Sequence, residues 1–120
     1  MTSPAQIRAA GEADAAQISG LFRFSDLDAW TPENVQWLMR EQRAVALIAE
    51  AGVEVAGAII GSGIAGEAEI YALIVSPASR KQGWGRRLLT VFTDICRDRD
   101  IEVIHLEVAV DNAAALALYR

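Results

Sequence analysis

The sequence predicts a single α/β (α+β) domain, residues 1–120, whose elements run β-α-α-β-β-β-α-β-α. Three observations carry this. Apolar runs at 44–50, 53–60, 67–76 and 101–110 read as strands, and helical-period patterns at 14–22, 31–43 and 85–99 separate or precede them. A chain of 120 residues also holds one core rather than two, and 52% hydrophobic residues exclude disorder.

Gln6 to Ala9 is a short first strand. Asp14 to Phe22 follows as a helix with Ala15, Ile18, Leu21 and Phe22 on one face. Thr31-Pro32-Glu33 is a helix start: a hydroxyl N-cap, proline at the first helical position and an acid in the first turn. Val35, Leu38, Met39 and Gln42 then line one face up to about Arg43. Ala44 to Glu50 and Val53 to Ile60, broken at Ala51-Gly52, form a hairpin. Gly61 to Gly66 reads as a glycine-rich turn. Glu67 to Ser76 is a strand with Glu69, Tyr71, Leu73 and Val75 on one face and Ile70, Ala72 and Ile74 on the other. Gly85 to Arg99 is a helix with Leu88, Leu89, Phe92, Ile95 and Cys96 inward. Ile101 to Val110 is the last strand, and Asp111 or Asn112 caps a final helix.

Composition removes several function classes. A net charge of −5 argues against nucleic-acid binding. No apolar run approaches the ~20 residues of a membrane span. The start, MTSPAQIRAA, lacks a basic segment and an apolar signal core, so a cytoplasmic location is expected. One cysteine and one histidine exclude a disulfide framework and a Cys/His metal site, and no metal is expected. Against the acidic average stands one basic stretch. Arg80, Lys81, Arg86 and Arg87 hold no acid between them, and Arg97 and Arg99 follow on the same helix. Such a patch suits a local anionic ligand.

Two glycine motifs compete for that ligand. Gly61-Ser62-Gly63-Ile64-Ala65-Gly66 is a literal G-x-G-x-x-G, but a strand follows where a dinucleotide fingerprint needs a helix, and Arg86 stands where it needs an acid. It reads as a hairpin loop. Arg80-Lys81-Gln82-Gly83-Trp84-Gly85 has the right context, between a strand ending at Val75-Ser76-Pro77 and a helix. Its N–H groups converge, the helix N-terminus adds partial positive charge, and glycines admit close approach. No G-K-[S/T] occurs, so a Walker loop is excluded. The pattern calls for a pyrophosphate held without metal ligands.

Leu73-Ile74-Val75-Ser76-Pro77 followed by Arg80-Lys81-Gln82-Gly83-Trp84-Gly85 resembles the acetyl-CoA-binding motif of the GCN5-related N-acetyltransferase (GNAT) superfamily, with its V-x-P strand end and R/Q-x-x-G-x-G/A turn. The element order fits that fold, a mixed, mostly antiparallel sheet flanked by helices, and the likeness covers essentially the whole chain. Within the superfamily, Leu106-Glu107-Val108 and the following Asn112-Ala113-Ala114-Ala115-Leu116-Ala117-Leu118-Tyr119 resemble the bacterial ribosomal-protein-alanine N-acetyltransferases, which acetylate a ribosomal protein's N-terminal alanine. Asp28-Ala29-Trp30-Thr31 resembles their entry to the second helix more loosely.

The resemblance implies acetyl-CoA as co-substrate and a protein N-terminal amine as acceptor. Leu73, Ile74 and Val75 would offer main-chain groups to the pantetheine arm. Arg80, Lys81, Gln82, Gly83, Trp84, Gly85 and Arg86 would cradle the pyrophosphate, and Asn112 would bond the cofactor arm. Glu107 would act as general base and Tyr119 as general acid. The chemistry agrees: an α-amine with a reference pKa of ~8 must lose a proton before attack, and a phenol (~10) stays protonated to meet the leaving thiolate. Two rivals stand beside this reading: an acetyltransferase for a small amine or a lysine side chain, and a non-catalytic acyl-CoA-binding module. Relatives continue beyond the tyrosine with two more strands. Ending at Arg120, this sequence is expected to lack them, to leave a sheet edge open for pairing with another chain, and to turn over poorly.

On the residues alone Glu107 is a solvated strand carboxylate, opposite the apolar face formed by Ile104, Leu106, Val108 and Val110. His105 lies ~6–7 Å from it on the same face and reads as a partly exposed strand histidine. Cys96 packs inward with no base beside it. Trp84 covers the cofactor or packs; Trp30 and Trp37 line the core or an acceptor groove.

Overall fold

The computed structural model describes residues 6–21, 31–40, 43–52, 54–64 and 66–106, the side chains of Ile64 and Leu106 excepted. Alternation and β-branched residues build strands β1 (Gln6–Ala9), β2 (Ala44–Ala51), β3 (Glu54–Ile64), β4 (Glu67–Val75) and β5 (Val103–Leu106). Helices α1 (Ala15–Leu21), α2 (Pro32–Met39) and α3 (Trp84–Asp98), with 3-10 turns at Glu12–Asp14 and Pro77–Ser79, complete the described elements. The sheet order is β1-β2-β3-β4-β5, with the first three pairings antiparallel and β4–β5 parallel. The parallel pair requires a crossover, and α3 is that crossover.

Both faces of the sheet are covered. On one, α3 sets Trp84, Leu88, Phe92 and Cys96 against Val45, Leu47, Ile59, Ile70 and Leu73. On the other, Ala15, Ile18 and Leu21 of α1 and Val35 of α2 meet Ile48, Ala58, Ile60, Ala72 and Ile74. Among the described residues no polar or charged side chain is fully buried. The charged groups instead pin edges. Arg8 of β1 donates two bonds to Asp14, at 2.8 and 3.0 Å, and a third to Glu50 of β2 at 2.6 Å. Hydrogen bonds from that guanidinium hold both carboxyls below the usual carboxylate range.

Most of the expected elements are present, including Thr31, whose hydroxyl accepts from the Asn34 N–H at 3.2 Å as the α2 N-cap. Helix α2 ends at Met39, short of the expected Arg43. Two readings change in substance. The segment at 61–66 is not a turn throughout: β3 runs to Ile64, and Gly61 and Gly63 are buried strand positions. A Cβ on Gly61 would overlap the Glu69 carbonyl and lie 2.8 Å from Phe92 Cζ; one on Gly63 would overlap Ile101 Cδ1. These glycines are there because α3 and the residues after it lie directly on the backbone. Trp37, expected in the core or a groove, is 63% exposed.

The faces of β4 also depart from strict alternation. The register passes from Ile60↔Ala72 to Gly61↔Ile70, so Tyr71 is an extra residue, a β-bulge. Ala68 and Ile70 face α3, but beyond the bulge Leu73 and Val75 take that face, and Ala72 and Ile74 turn to α1 and α2 with Tyr71. Strand β5 is seen through Leu106; the rest of the expected strand to Val110 and the final helix lie outside the described residues.

Gly61→Ala should lower stability by about 2 kcal/mol or more, because backbone and a core ring both bar the added methyl. Gly11→Ala, where the nearest atom would be 4.0 Å away, should stay within about 0.5 kcal/mol. Urea denaturation of the two variants checks the contrast; equal midpoints would contradict the packing account.

Candidate functional site

The end of β4 and the start of α3 are joined by a loop of unusual backbone. Ser76 closes the strand by donating its N–H to the Ala56 carbonyl at 2.8 Å. Pro77–Ser79 forms one 3-10 turn, with the Ser79 N–H on the Ser76 carbonyl at 2.9 Å. The Arg80 Nε donates to the Val75 carbonyl at 3.4 Å, laying that side chain back along the strand end. Lys81 (φ 64°) and Gly83 (φ 84°) both adopt left-handed backbone. That conformation favours glycine and costs an L-residue such as Lys81 roughly 1–2 kcal/mol. A sharp reversal placed immediately before a helix is the result.

Gly83 is the N-cap of α3 and has no side chain with which to cap. The first N–H groups of a helix have no carbonyl behind them, so those of Trp84, Gly85 and Arg86 point out toward the loop. The contrast with α2 is internal: there the Thr31 hydroxyl fills that role. Open space surrounds the position a Gly83 Cβ would occupy, with nothing within 4 Å. Arg80, Lys81, Arg86 and Arg87 ring the opening, all exposed, and among the described residues none of the four forms an ion pair. Arg8, Arg40 and Arg97 elsewhere are each paired with an acid. Uncapped N–H groups, the positive helix end and unpaired cations together make a cradle that fits a pyrophosphate.

Of the residues expected at this site, Trp84 has a divided role. Its side chain is 5% exposed and packs in the core, so only its N–H is available to the loop. The Arg87 guanidinium lies 4.4 Å from the centre of its ring, a cation–π contact that holds one cation near the helix start. Leu73 and Ile74 are buried and Val75 is half-buried, so what this stretch can present to a ligand is main chain. Burial pushes the Cys96 thiol up, consistent with packing rather than nucleophilic chemistry. His105 is exposed, its Nε2 3.5 Å from Glu67 Oε1. Glu107, Asn112 and Tyr119 lie outside the described residues.

One residue in the middle of β4 stands on a different face from the one strand alternation predicts. Strict alternation puts Tyr71 on the face of Leu73 and Val75, and the bulge carries it to the other. Its hydroxyl meets Ser62 Oγ at 2.9 Å. Nothing in the local sequence marks a bulge, since the register mismatch arises between strands.

The model of the "Acetyltransferase (GNAT) family" matches residues 14–120. The chain belongs to the GNAT family. A mycothiol acetyltransferase of Beutenbergia cavernae is 32% identical over 98 residues, covering 82% of this chain and 31% of that protein. The N-alpha-acetyltransferase RimI of Mycobacterium tuberculosis is 48% identical over 54 residues, covering 45% of this chain and 32% of that protein. The chain thus matches about a third of the length of these curated relatives. Among solved structures, the ribosomal-protein-S18-alanine N-acetyltransferase of Escherichia coli superposes with a TM-score of 0.84 at 24% identity, covering 96% of this chain and 74% of that one. The PaiA N-acetyltransferase of Thermoplasma acidophilum, solved with coenzyme A, gives 0.80 at 18% identity, covering 98% and 87%. Both share the fold of this chain, whose described residues form a five-stranded, mostly antiparallel mixed sheet between helices. No described helix is long and apolar enough to cross a membrane.

If the start of α3 is the anion site, its position along the helix must matter. Arg86→Glu should weaken coenzyme A binding about tenfold or more, the scale of a lost charge-assisted contact plus repulsion. Arg97→Glu, at the other end of α3, should stay within about twofold. Isothermal titration at low salt measures both, and equal losses would contradict the assignment.

Proposed function

We propose that residues 1–120 form one catalytic domain that transfers an acetyl group from acetyl-CoA to a protein N-terminal amine, of the ribosomal-protein-alanine type, in the cytoplasm. The observation that carries the reading is the uncapped, cation-ringed start of α3 at the end of β4, in a chain of the GNAT family. The 48% identity to an N-alpha-acetyltransferase supports the choice of acceptor.

Bound at this loop, acetyl-CoA supplies an acetyl group already activated as a thioester. The chain's own residues do the rest. The N–H groups of residues 82–86 and the side chains of Arg80, Lys81 and Arg86 hold the pyrophosphate, and the main chain of Leu73, Ile74 and Val75 aligns the arm as an added strand. Asn112 bonds the arm further along. Glu107, directly or through water, takes the proton that the acceptor ammonium must lose before its nitrogen can attack. Tyr119 gives its phenol proton to the departing sulfur. Direct transfer needs no covalent enzyme intermediate, which agrees with the burial of Cys96. The residues named here require no metal.

A small-molecule acceptor is the second reading. It is favoured by a relative that matches 82% of this chain and is named for mycothiol. An acyl-CoA-binding module without turnover is the non-enzymatic alternative.

Glu107→Gln and Tyr119→Phe should each cut turnover by about a hundredfold, the scale of a lost acid or base, with coenzyme A affinity unchanged. Thiol release, assayed with N-terminal alanyl peptides, lysine peptides and small amines side by side, identifies the acceptor. Wild-type levels of turnover in both variants would overturn the acid–base assignment, and binding without turnover on any acceptor would favour the module.

A further inference from the structure

The hydroxyl pair of Ser62 and Tyr71 lies outside the cofactor loop, and its placement says what it is for. Tyr71 is the bulged residue of β4. It stands directly after the last described β4–β5 pair, Ile70↔Leu106, and two residues before Leu73. At about 3.3 Å per strand residue, its backbone lies within roughly 7 Å of the segment assigned to the pantetheine arm. The bulge turns its side chain onto the α1/α2 face, away from α3 and the pyrophosphate cradle. An acyl acceptor has to reach the thioester from a side that coenzyme A does not fill. The hydroxyl pair lies on the α1/α2 face of the sheet, opposite the one that α3 covers.

The pair is also chemically incomplete. Each hydroxyl carries one hydrogen, and the 2.9 Å bond between them uses one of the two. The second hydrogen and the remaining lone pairs have no other partner among the described residues, and both side chains are only half-buried. Ser62 sets the orientation of the phenol, and the phenol presents a donor and an acceptor at one point.

We infer that the Ser62–Tyr71 pair positions the acceptor, through a hydrogen bond to the polar group adjacent to the attacking amine. For a peptide acceptor that group is the first peptide unit. Tyr71 holds the acceptor and Ser62 is a positioning residue acting through it. The inference rests on the transferase reading above and adds to it the part of the site that selects the acceptor.

The test is steady-state kinetics of Tyr71→Phe, Ser62→Ala and the double variant, using whichever acceptor the wild-type protein acetylates best. Tyr71→Phe keeps the ring that packs beneath α1 and α2, so its fold is retained, and thermal melts verify this. The acceptor KM should rise about fivefold, the loss of one neutral hydrogen bond, with kcat within about twofold and the KM for acetyl-CoA unchanged. Ser62→Ala should shift the acceptor KM in the same direction by less, and the double variant should match Tyr71→Phe alone. An unchanged acceptor KM in Tyr71→Phe, with only a lower melting temperature, would make the pair purely structural and overturn the inference. Failure of the transferase reading looks different: the wild-type protein itself would transfer no acetyl group, and both would fall together.

Discussion

Helix α3 lies directly on the backbone of β3, and the rest of the molecule is arranged around that contact. The strand offers bare backbone at Gly57, Gly61 and Gly63; Leu88 and Phe92 of α3 descend onto the first two, and Ile101 just beyond the helix onto the third. A methyl at Gly57 would stand 3.3 Å from Leu88 Cδ1 of α3 and 2.7 Å from the Ile74 carbonyl of the neighbouring strand β4, so helix and sheet together leave it little room. This close seating fixes both ends of the helix. Its N-terminus is brought to the end of β4, where the Ser76–Gly83 loop has only a few residues in which to reverse. Its C-terminus delivers the chain to β5, in parallel register with the first half of β4.

Electrostatics then distinguish the two ends of α3. Gly83 leaves the N–H groups there uncapped, and Arg87 is held against Trp84, so positive charge gathers where the helix dipole is already positive. That arrangement is locally unfavourable for the protein alone, since cations belong at the other end of a helix. An anion bound at this end would offset that charge and complement the dipole. The −5 average of the chain conceals this, because the remaining acids sit elsewhere.

What could be read from the residues follows what is local. Strand β1, the Thr31 cap, the inward face of α3 and the glycine loop before it depend on period, caps and turn chemistry within a few residues, and each was legible. The misread glycines are a tertiary effect: Gly61 and Gly63 look like a turn because glycine weakens an isolated strand, yet here packing by Phe92 and Ile101 requires them. Tyr71 is another, since a bulge exists only relative to the partner strand. Trp37 is exposed because α2 packs through Val35, Leu38 and Met39, and Trp37 lies on another face of the helix. In the candidate site, the glycine loop and its basic residues were legible as a motif, and the structure brings them together at the start of α3. The acid–base pair rests on resemblance, since Glu107 and Tyr119 lie outside the described residues.

The central claim is that the uncapped start of α3 is the place where the cofactor's phosphates are held. NMR mapping of amide shifts during a titration with coenzyme A tests it most directly, because the groups in question are the amides themselves. The account predicts that the largest changes fall on residues 82–86, followed by 73–75, with the amides at Arg97 and Asp98 unmoved. Changes centred on another surface, or saturable binding that leaves the amides of Gly83 to Arg86 in place, would contradict it.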